Sequence, residues 1–209
     1  VPKTIYKKRT RKKENKNVAK NTKVRAPRGT SYPRKVQLSL SRNIPFEKTL
    51  AEIIRWRVGK NPEAIAHKFG DRETSYKEFD SYANQIAQGL IALDCGPDTR
   101  VAFLAKNSDY FFEFLYGTLK SRTVAVGVNW RLAPPEVAFI VNDSKSEVLF
   151  VGSEFFGLIE QIKDELPHVK KIIAVGDVHE EWETFTEWRD AQKDEDPFIE
   201  TQPEDDVIQ

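Results

Sequence analysis

The chain has 209 residues, 39% of them hydrophobic and 31% charged, with a formal net charge of +1 and one cysteine, Cys95. That composition supports one ordinary packed domain and excludes an internal disulfide framework. No apolar run approaches the roughly 18 residues needed to cross a bilayer, so a membrane-spanning helix is excluded as well.

The near-neutral total conceals three distinct segments. Residues 1–43 hold fifteen Lys/Arg against one acid, Glu14; residues 44–176 hold sixteen against eighteen; residues 177–209 hold two against thirteen. The first segment contains KKRTRKKENK and almost no periodic apolar pattern. Like charges repel there, and too little apolar surface is available to offset chain entropy, so it is expected to be a disordered basic arm. Such an arm suits nucleic acid or an anionic membrane surface, held weakly through counterion release. It also suits nuclear targeting. The plain alternatives are a solvated tail or sequence joined upstream of the domain.

The character changes near Phe46, and residues 44–209 are expected to form the domain. Thr49 and Glu52 have capping-box spacing, and Leu50, Ile53, Ile54 and Val58 then recur at helical intervals up to Gly59 and Pro62. Ala64 to Phe69 reads as a strand that turns at Gly70-Asp71 into a second strand over Glu73 to Tyr76. Ser75 and Glu78 form another capping-box pair. They open a helix whose apolar stripe is Phe79, Tyr82, Ala83, Ile86, Ala87, Leu90 and Ile91.

Beyond Pro97 the pattern alternates. Val101 to Ala105 is a short buried strand, Ser108 to Leu119 an aromatic-rich helix, and Val124 to Val128 another strand. Pro134 and Pro135 occupy helix-starting positions ahead of Glu136 to Val141, and Val148 to Val151 is a strand. Glu154 to Leu166 reads as helix and Lys171 to Val175 as strand. Short strands alternating with helices are the signature of right-handed βαβ units, so the fold class is α/β with a mainly parallel sheet flanked by helices. In the acidic segment, Trp182, Phe185 and Trp188 predict one short helix, followed by an extended connector.

The candidate chemistry is sparse. His67, His168 and His179 are scattered and read as structural or solvated, because a ligand set needs partners at metal spacing. Asn129-Trp130-Arg131 ends a predicted parallel strand, where α/β proteins commonly place ligands. The plainer reading has Arg131 paired with a nearby acid and Trp130 packing the domain. Asn107-Ser108 could hold an anion on free amides but reads more simply as a helix cap. Gly152-Ser153 and Gly176-Asp177 follow strands without completing a phosphate-loop pattern. Asp205-Asp206 reads as solvated.

Taken in order, GDRETSYKEFDSYANQIAQGL, DTRVAFLAKNSDYFFEFLYGTLKSRTVAVGVNWRL, LAPPEVAFIVNDSKSEVLFVG and PEDDVIQ resemble the front part of an adenylate-forming, AMP-binding acyl-CoA synthetase. The resemblance covers about Phe46 to Gln209 and, in the style of GVNWRLAPPE, is nearest to fatty acyl-CoA synthetases. It implies the first lobe of that family's N-terminal domain, truncated before the Gly/Ser/Thr-rich phosphate loop. The implied reaction joins a fatty acid, or another small carboxylate, to CoA at the expense of ATP, releasing AMP and pyrophosphate.

ATP, Mg²⁺ and CoA are therefore implied for the full-length protein. The phosphate cradle, ribose-binding acid and late catalytic lysine would lie beyond Gln209. No catalytic, cofactor-binding or metal residue is assigned within the chain, and this fragment is expected to be inactive alone. The alternative is a non-catalytic interaction module whose basic arm binds nucleic acid or another polyanion. Cys95 as the lone cysteine fits a reducing compartment, so the cytoplasm is expected, with nucleus or mitochondrion left open by the arm. The absence of methionine points to a fragment or processed product.

Overall fold

The computed structural model describes residues 49–209, and the basic arm expected over residues 1–43 lies outside them. Both predicted capping boxes form. Thr49 caps α1 (Leu50–Lys60), with its backbone N–H donating to Glu52 at 2.9 Å. Ser75 caps α2 (Tyr76–Ala92) in the same way, its N–H donating to Glu78 at 2.8 Å. Between them, β1 (Ile65–Phe69) and β2 (Arg72–Ser75) make the antiparallel hairpin, turning through Gly70 at φ 60°. Only glycine takes that left-handed conformation without cost from a Cβ.

The remainder is a doubly wound sheet. In chain order it comprises β3 (Arg100–Leu104), α3 (Asp109–Ser121), β4 (Val124–Gly127), α4 (Pro134–Asp143), β5 (Val148–Gly152), α5 (Phe156–Ile162), β6 (Lys171–Val175), β7 (Glu183–Thr184) and α6 (Phe185–Asp190). The strands lie in the order β4-β3-β5-β6-β7, all parallel. The chain leaves β3 for one neighbour, β4, and returns across it to the other, β5. The switch point of the sheet therefore lies between β3 and β5.

Strands buried on both faces read as near-continuous apolar runs, which is why RVAFL and VLFVG carry no alternation. Their pleat still sorts the side chains. Ala102, Leu104, Leu149 and Val151 face a layer with α4 and α5. Val101, Phe103, Val148 and Phe150 face the opposite layer with Phe114, Phe185 and Trp188. On that side α2 and α3 approach closely because residue 117 is glycine, where a Cβ would overlap Ile86. The one-helix reading of Glu154 to Leu166 is corrected to a 3-10 turn over Ser153–Phe155, the short α5, and a second 3-10 turn over Lys163–Glu165. Pro167 disfavours helical backbone at Leu166 and helps end it there.

The acidic segment is the main departure from expectation. Trp188 anchors the predicted short helix α6 in the core, but the connector beyond it is fastened along its length. Asn84 and Gln88 of α2 donate to the carbonyls of Asp194 and Glu195, each at 2.9 Å. Asp196 accepts both Arg55 N–H groups, at 2.7 and 2.8 Å, and the Lys120 ammonium at 2.7 Å. Lys120 also meets Asp80 at 2.7 Å and has no solvent-exposed side-chain area. Asp205, expected to be solvated, instead forms a two-pronged pair with Arg122, at 2.8 and 2.6 Å. Finally Ile208 bridges in parallel to Ala125, adding residues 207–209 beside β4.

A buried ammonium is tolerable only when carboxylates surround it, and removing it strands them. Lys120→Ala should therefore cost about 3–5 kcal/mol in urea unfolding of the full chain. The exposed Lys145→Ala should stay within about 0.5 kcal/mol. A Lys120→Ala protein as stable as the parent would show that Asp80 and Asp196 are relieved by water.

Burial raises the Asp196 carboxyl, but hydrogen bonds from Arg55 and Lys120 outweigh it and hold the group well below the usual carboxylate range. A depressed folded-state pKa stabilises above the unfolded value, about 3.9, and that stabilisation fades as pH falls through the folded value. The stability gap between the parent chain and Asp196→Asn should be full at pH 6 and shrink progressively below about pH 4. Chemical denaturation at each pH measures it, and a gap independent of pH would refute the assignment.

Candidate functional site

The carboxyl ends of β3, β4 and β5 bring residues from three of the sequence candidates to one edge of the sheet. After β3 come Ala105, Lys106 and Asn107; after β4 come Val128 to Arg131; after β5 come Ser153 and Glu154. Gly152 lets β5 press against β3, since a Cβ there would sit 2.9 Å from the Ala105 Cβ. Lys106 and Glu154 span the same switch point with a 3.0 Å ion pair. The Glu154 carboxyl is held below its usual range by its own backbone amide and then by Lys106.

Trp130 is half-buried and packs on the α4/α5 layer, with its ring 6.4 Å from that of Phe155. The Arg131 guanidinium lies over this indole at 4.1 Å, and Lys106 lies 5.8 Å from the same ring. The turn is closed twice: the Arg131 N–H donates to Asn129 Oδ1 at 3.1 Å, and the Leu132 N–H donates to the Asn129 carbonyl at 3.2 Å. The plainer sequence reading is thus half corrected. Trp130 packs the domain as expected, but among the described residues Arg131 engages an aromatic face rather than an acid.

The other candidates separate from this group. Ser108 is the cap residue of α3 by position, yet its side chain makes no capping hydrogen bond. Gly176 turns at φ 101° beyond β6. Cys95 is buried, and burial, then Glu147, pushes its thiol up to about 11, which removes it as a nucleophile at neutral pH.

One cluster was not visible in the sequence. His67 on β1 meets Asp109 and Glu113 on α3, with potential ligand atoms within 4.8 Å of one another. The spacing from residue 67 to 109 follows no motif; only the hairpin's docking on α3 creates it. Asp109 accepts two hydrogen bonds from Arg72, each 2.7 Å, and Glu113 accepts one from Arg189 at 2.6 Å. Burial raises the Asp109 carboxyl, but Arg72 reverses the direction and holds it low. At Glu113 burial prevails over Arg189 and the carboxyl is pushed up. The two arginines already supply the counter-charge that a cation would bring. The cluster therefore behaves as a structural ion-pair network fastening the hairpin to α3. His67, its pKa lowered by burial against the pull of Asp109, packs edge-on to Phe79 and stacks near Phe112.

A parallel sheet with its switch point between β3 and β5, covered by helices on both faces, places the chain among α/β proteins of the doubly wound class. Residues 54–208 match the model of the AMP-binding enzyme family, and the chain belongs to that family. It is 35% identical over 153 residues to the fatty acid–[acyl-carrier-protein] ligase ScoC of Streptomyces coeruleorubidus, covering 73% of this chain and 28% of that protein. It is 34% identical over 115 residues to a 3-hydroxybenzoate–CoA/4-hydroxybenzoate–CoA ligase of Thauera aromatica, covering 55% and 22%.

Among solved structures, the N-terminal domain of FACL13 from Mycobacterium tuberculosis superposes with a TM-score of 0.70 at 30% identity, covering 77% of this chain and 41% of that one. The chain spans about a quarter of the length of the curated relatives it matches. No helix among the described residues is long and apolar enough to cross a membrane.

Exposed ion pairs contribute little to stability. Lys106→Gln and Glu154→Gln should each shift the unfolding free energy by under about 1 kcal/mol, leaving the site open to substitution without loss of the fold. A large drop in the thermal midpoint for either would mean that the pair clamps β3 to β5.

Proposed function

We propose that the chain is the front part of an ATP-dependent carboxylate–CoA ligase, joining a fatty acid or another small carboxylic acid to CoA with release of AMP and pyrophosphate. The observation that carries this reading is the family match across residues 54–208, in register with the doubly wound sheet. The relatives are named as ligases that differ in the acid, fatty acid or hydroxybenzoate, and in the acceptor, acyl carrier protein or CoA. That supports the reaction class over any one acid.

The chemistry explains why such a protein needs nucleotide. A carboxylate is a poor electrophile, and transfer of AMP to it supplies a leaving group that a thiol can displace. Mg²⁺ and backbone N–H groups offset the charge at the transferring phosphate. Within this chain no Gly-rich loop offers that cradle. We place it, with the ribose-binding acid and the catalytic lysine, in sequence following Gln209. The direction of residues 207–209 beside β4 supports this: a parallel strand continued there delivers its following loop to the carboxyl edge that holds Lys106 and Trp130.

The intact gene product, given ATP, Mg²⁺ and CoA, should release pyrophosphate only when a carboxylic acid is added, and should form a thioester. A panel of medium- and long-chain fatty acids beside benzoate and hydroxybenzoates would rank the acyl group. The 209-residue chain alone should show no turnover. Silence of the intact protein with every acid would defeat the ligase reading, and turnover by the short chain would defeat its incompleteness.

A further inference from the structure

The residue that closes α3 has no conformational reason to be an arginine. Arg122 caps the helix at φ 61° and ψ 26°, in the left-handed region. Its N–H donates to the Leu119 carbonyl at 3.3 Å, and the Thr123 N–H donates to the Thr118 carbonyl at 2.9 Å. Glycine ends a helix this way without cost, whereas a Cβ crowds the following carbonyl. Lys145, just beyond α4, takes the same conformation at φ 53°, but it is exposed and makes no ion pair among the described residues. Arg122 differs because its planar fork is engaged: Nε donates to Asp205 Oδ2 at 2.8 Å and Nη2 to Oδ1 at 2.6 Å. Backbone strain that persists at one residue points to what its side chain holds.

What it holds is the start of a strand pair. Arg122 stands two residues before Val124, where β4 begins, and Asp205 stands two residues before Val207. From there the Ala125 N–H donates to the Val207 carbonyl at 3.1 Å, the Gln209 N–H to the Ala125 carbonyl at 2.8 Å, and the Gly127 N–H to the Gln209 carbonyl at 3.4 Å. Asp205 is held on its own side as well. Its Oδ2 accepts the Gln202 N–H at 2.7 Å, and its N–H donates to the Gln202 carbonyl at 3.1 Å. A two-pronged ion pair fixes direction as well as distance. Placed at the same offset from both strands, it selects which of residues 207–209 meets Ala125, and a slip of one residue would turn every side chain of that stretch to the opposite face.

We propose that Arg122, through Asp205, is a positioning residue for the ligase reaction: the pair sets the register of residues 207–209 beside β4 and so the place to which the chain delivers the phosphate-binding loop that follows. This role rests on the ligase reading above, whereas the register clamp rests on the geometry alone. Neither side chain touches a reacting group. A misplacement of about 1 Å at a catalytic loop can cost about 100-fold in rate, even when the change lies far from the chemistry. A partly exposed pair that adds little to stability can therefore carry much of the activity.

The test compares Arg122→Gly, Asp205→Asn and the double variant with Lys145→Gly in the intact gene product. Glycine removes the side chain and the left-handed strain together, so thermal midpoints should stay near that of the parent. With the acid that the panel ranks first, kcat/KM for ATP should fall about tenfold in each single variant while KM for CoA is unchanged. The double variant should be no slower than the singles, because both remove one interaction. Lys145→Gly should be as active as the parent. Hydrogen exchange read by mass spectrometry should speed about tenfold in peptides covering residues 205–209 and stay parental in β3 and β5. Asp205→Asn keeps the shape of the side chain and tests the same pair should the glycine variant fold poorly.

Parental activity in Arg122→Gly overturns the positioning role, as do losses that multiply in the double variant. Exchange that speeds across the whole sheet overturns it too, because it marks a general loss of stability. A parent inactive with every acid removes the ligase reading instead; selective loosening of residues 205–209 then upholds the clamp, and parental exchange there overturns it.

Discussion

The arrangement turns on one ammonium group. Lys120, without solvent exposure, meets Asp80 of α2 and Asp196 of the acidic segment, and Asp196 in turn receives Arg55 of α1. A charge taken out of water is costly unless its partners are fixed around it, so the elements that supply those partners must dock together. Three helices and a stretch without regular secondary structure are thereby held to one geometry. The energetic return of such a network is modest in itself. Its consequence here is positional.

That position propagates to the sheet. With Asp196 held, the chain runs on to Asp205, which pairs with Arg122 in the left-handed cap of α3, and then to Val207 and Gln209, which exchange hydrogen bonds with Ala125. The segment richest in acid thus becomes a strap whose far end extends the sheet beside β4. Its carboxylates serve cations of the folded domain: Glu181 meets Lys163 and Glu183 meets Lys171 by the same logic. These outer pairs are exposed and contribute little to stability, whereas the pair between Arg189 and Glu113 is buried and ties α6 to α3.

The two edges of the sheet are unlike. At the carboxyl edge, a Cβ at residue 152 would lie 2.9 Å from the Ala105 Cβ, so the end of β5 accepts glycine beside Ala105. There an aromatic ring anchored in the core presents cations to solvent. Rigidity below and exposed charge above is the division of labour that α/β folds use for binding sites. The His67, Asp109 and Glu113 cluster has the opposite character, because each carboxylate is already engaged by an arginine.

Local rules were enough for much of this protein. The two capping boxes, the apolar stripe of α2 and the buried runs of β3 to β6 could be read directly, because each depends on residues within one turn or one strand. The α/β class and the family resemblance followed from their order. What the sequence left undetermined depends on contacts between distant residues. Lys120 looks like an ordinary helix lysine until Asp196 is brought to it from 76 residues away. His67 acquires acidic neighbours only when the hairpin docks on α3, and Asp205 reads as solvated until Arg122 is brought to it. Arg131 was legible as a candidate by its place after a strand, but whether it would face an acid or an indole depended on how Trp130 packed. Periodicity and caps are written in neighbouring residues, whereas the pairing of buried charges is decided by tertiary packing, which alone sets which charges share a low-dielectric space.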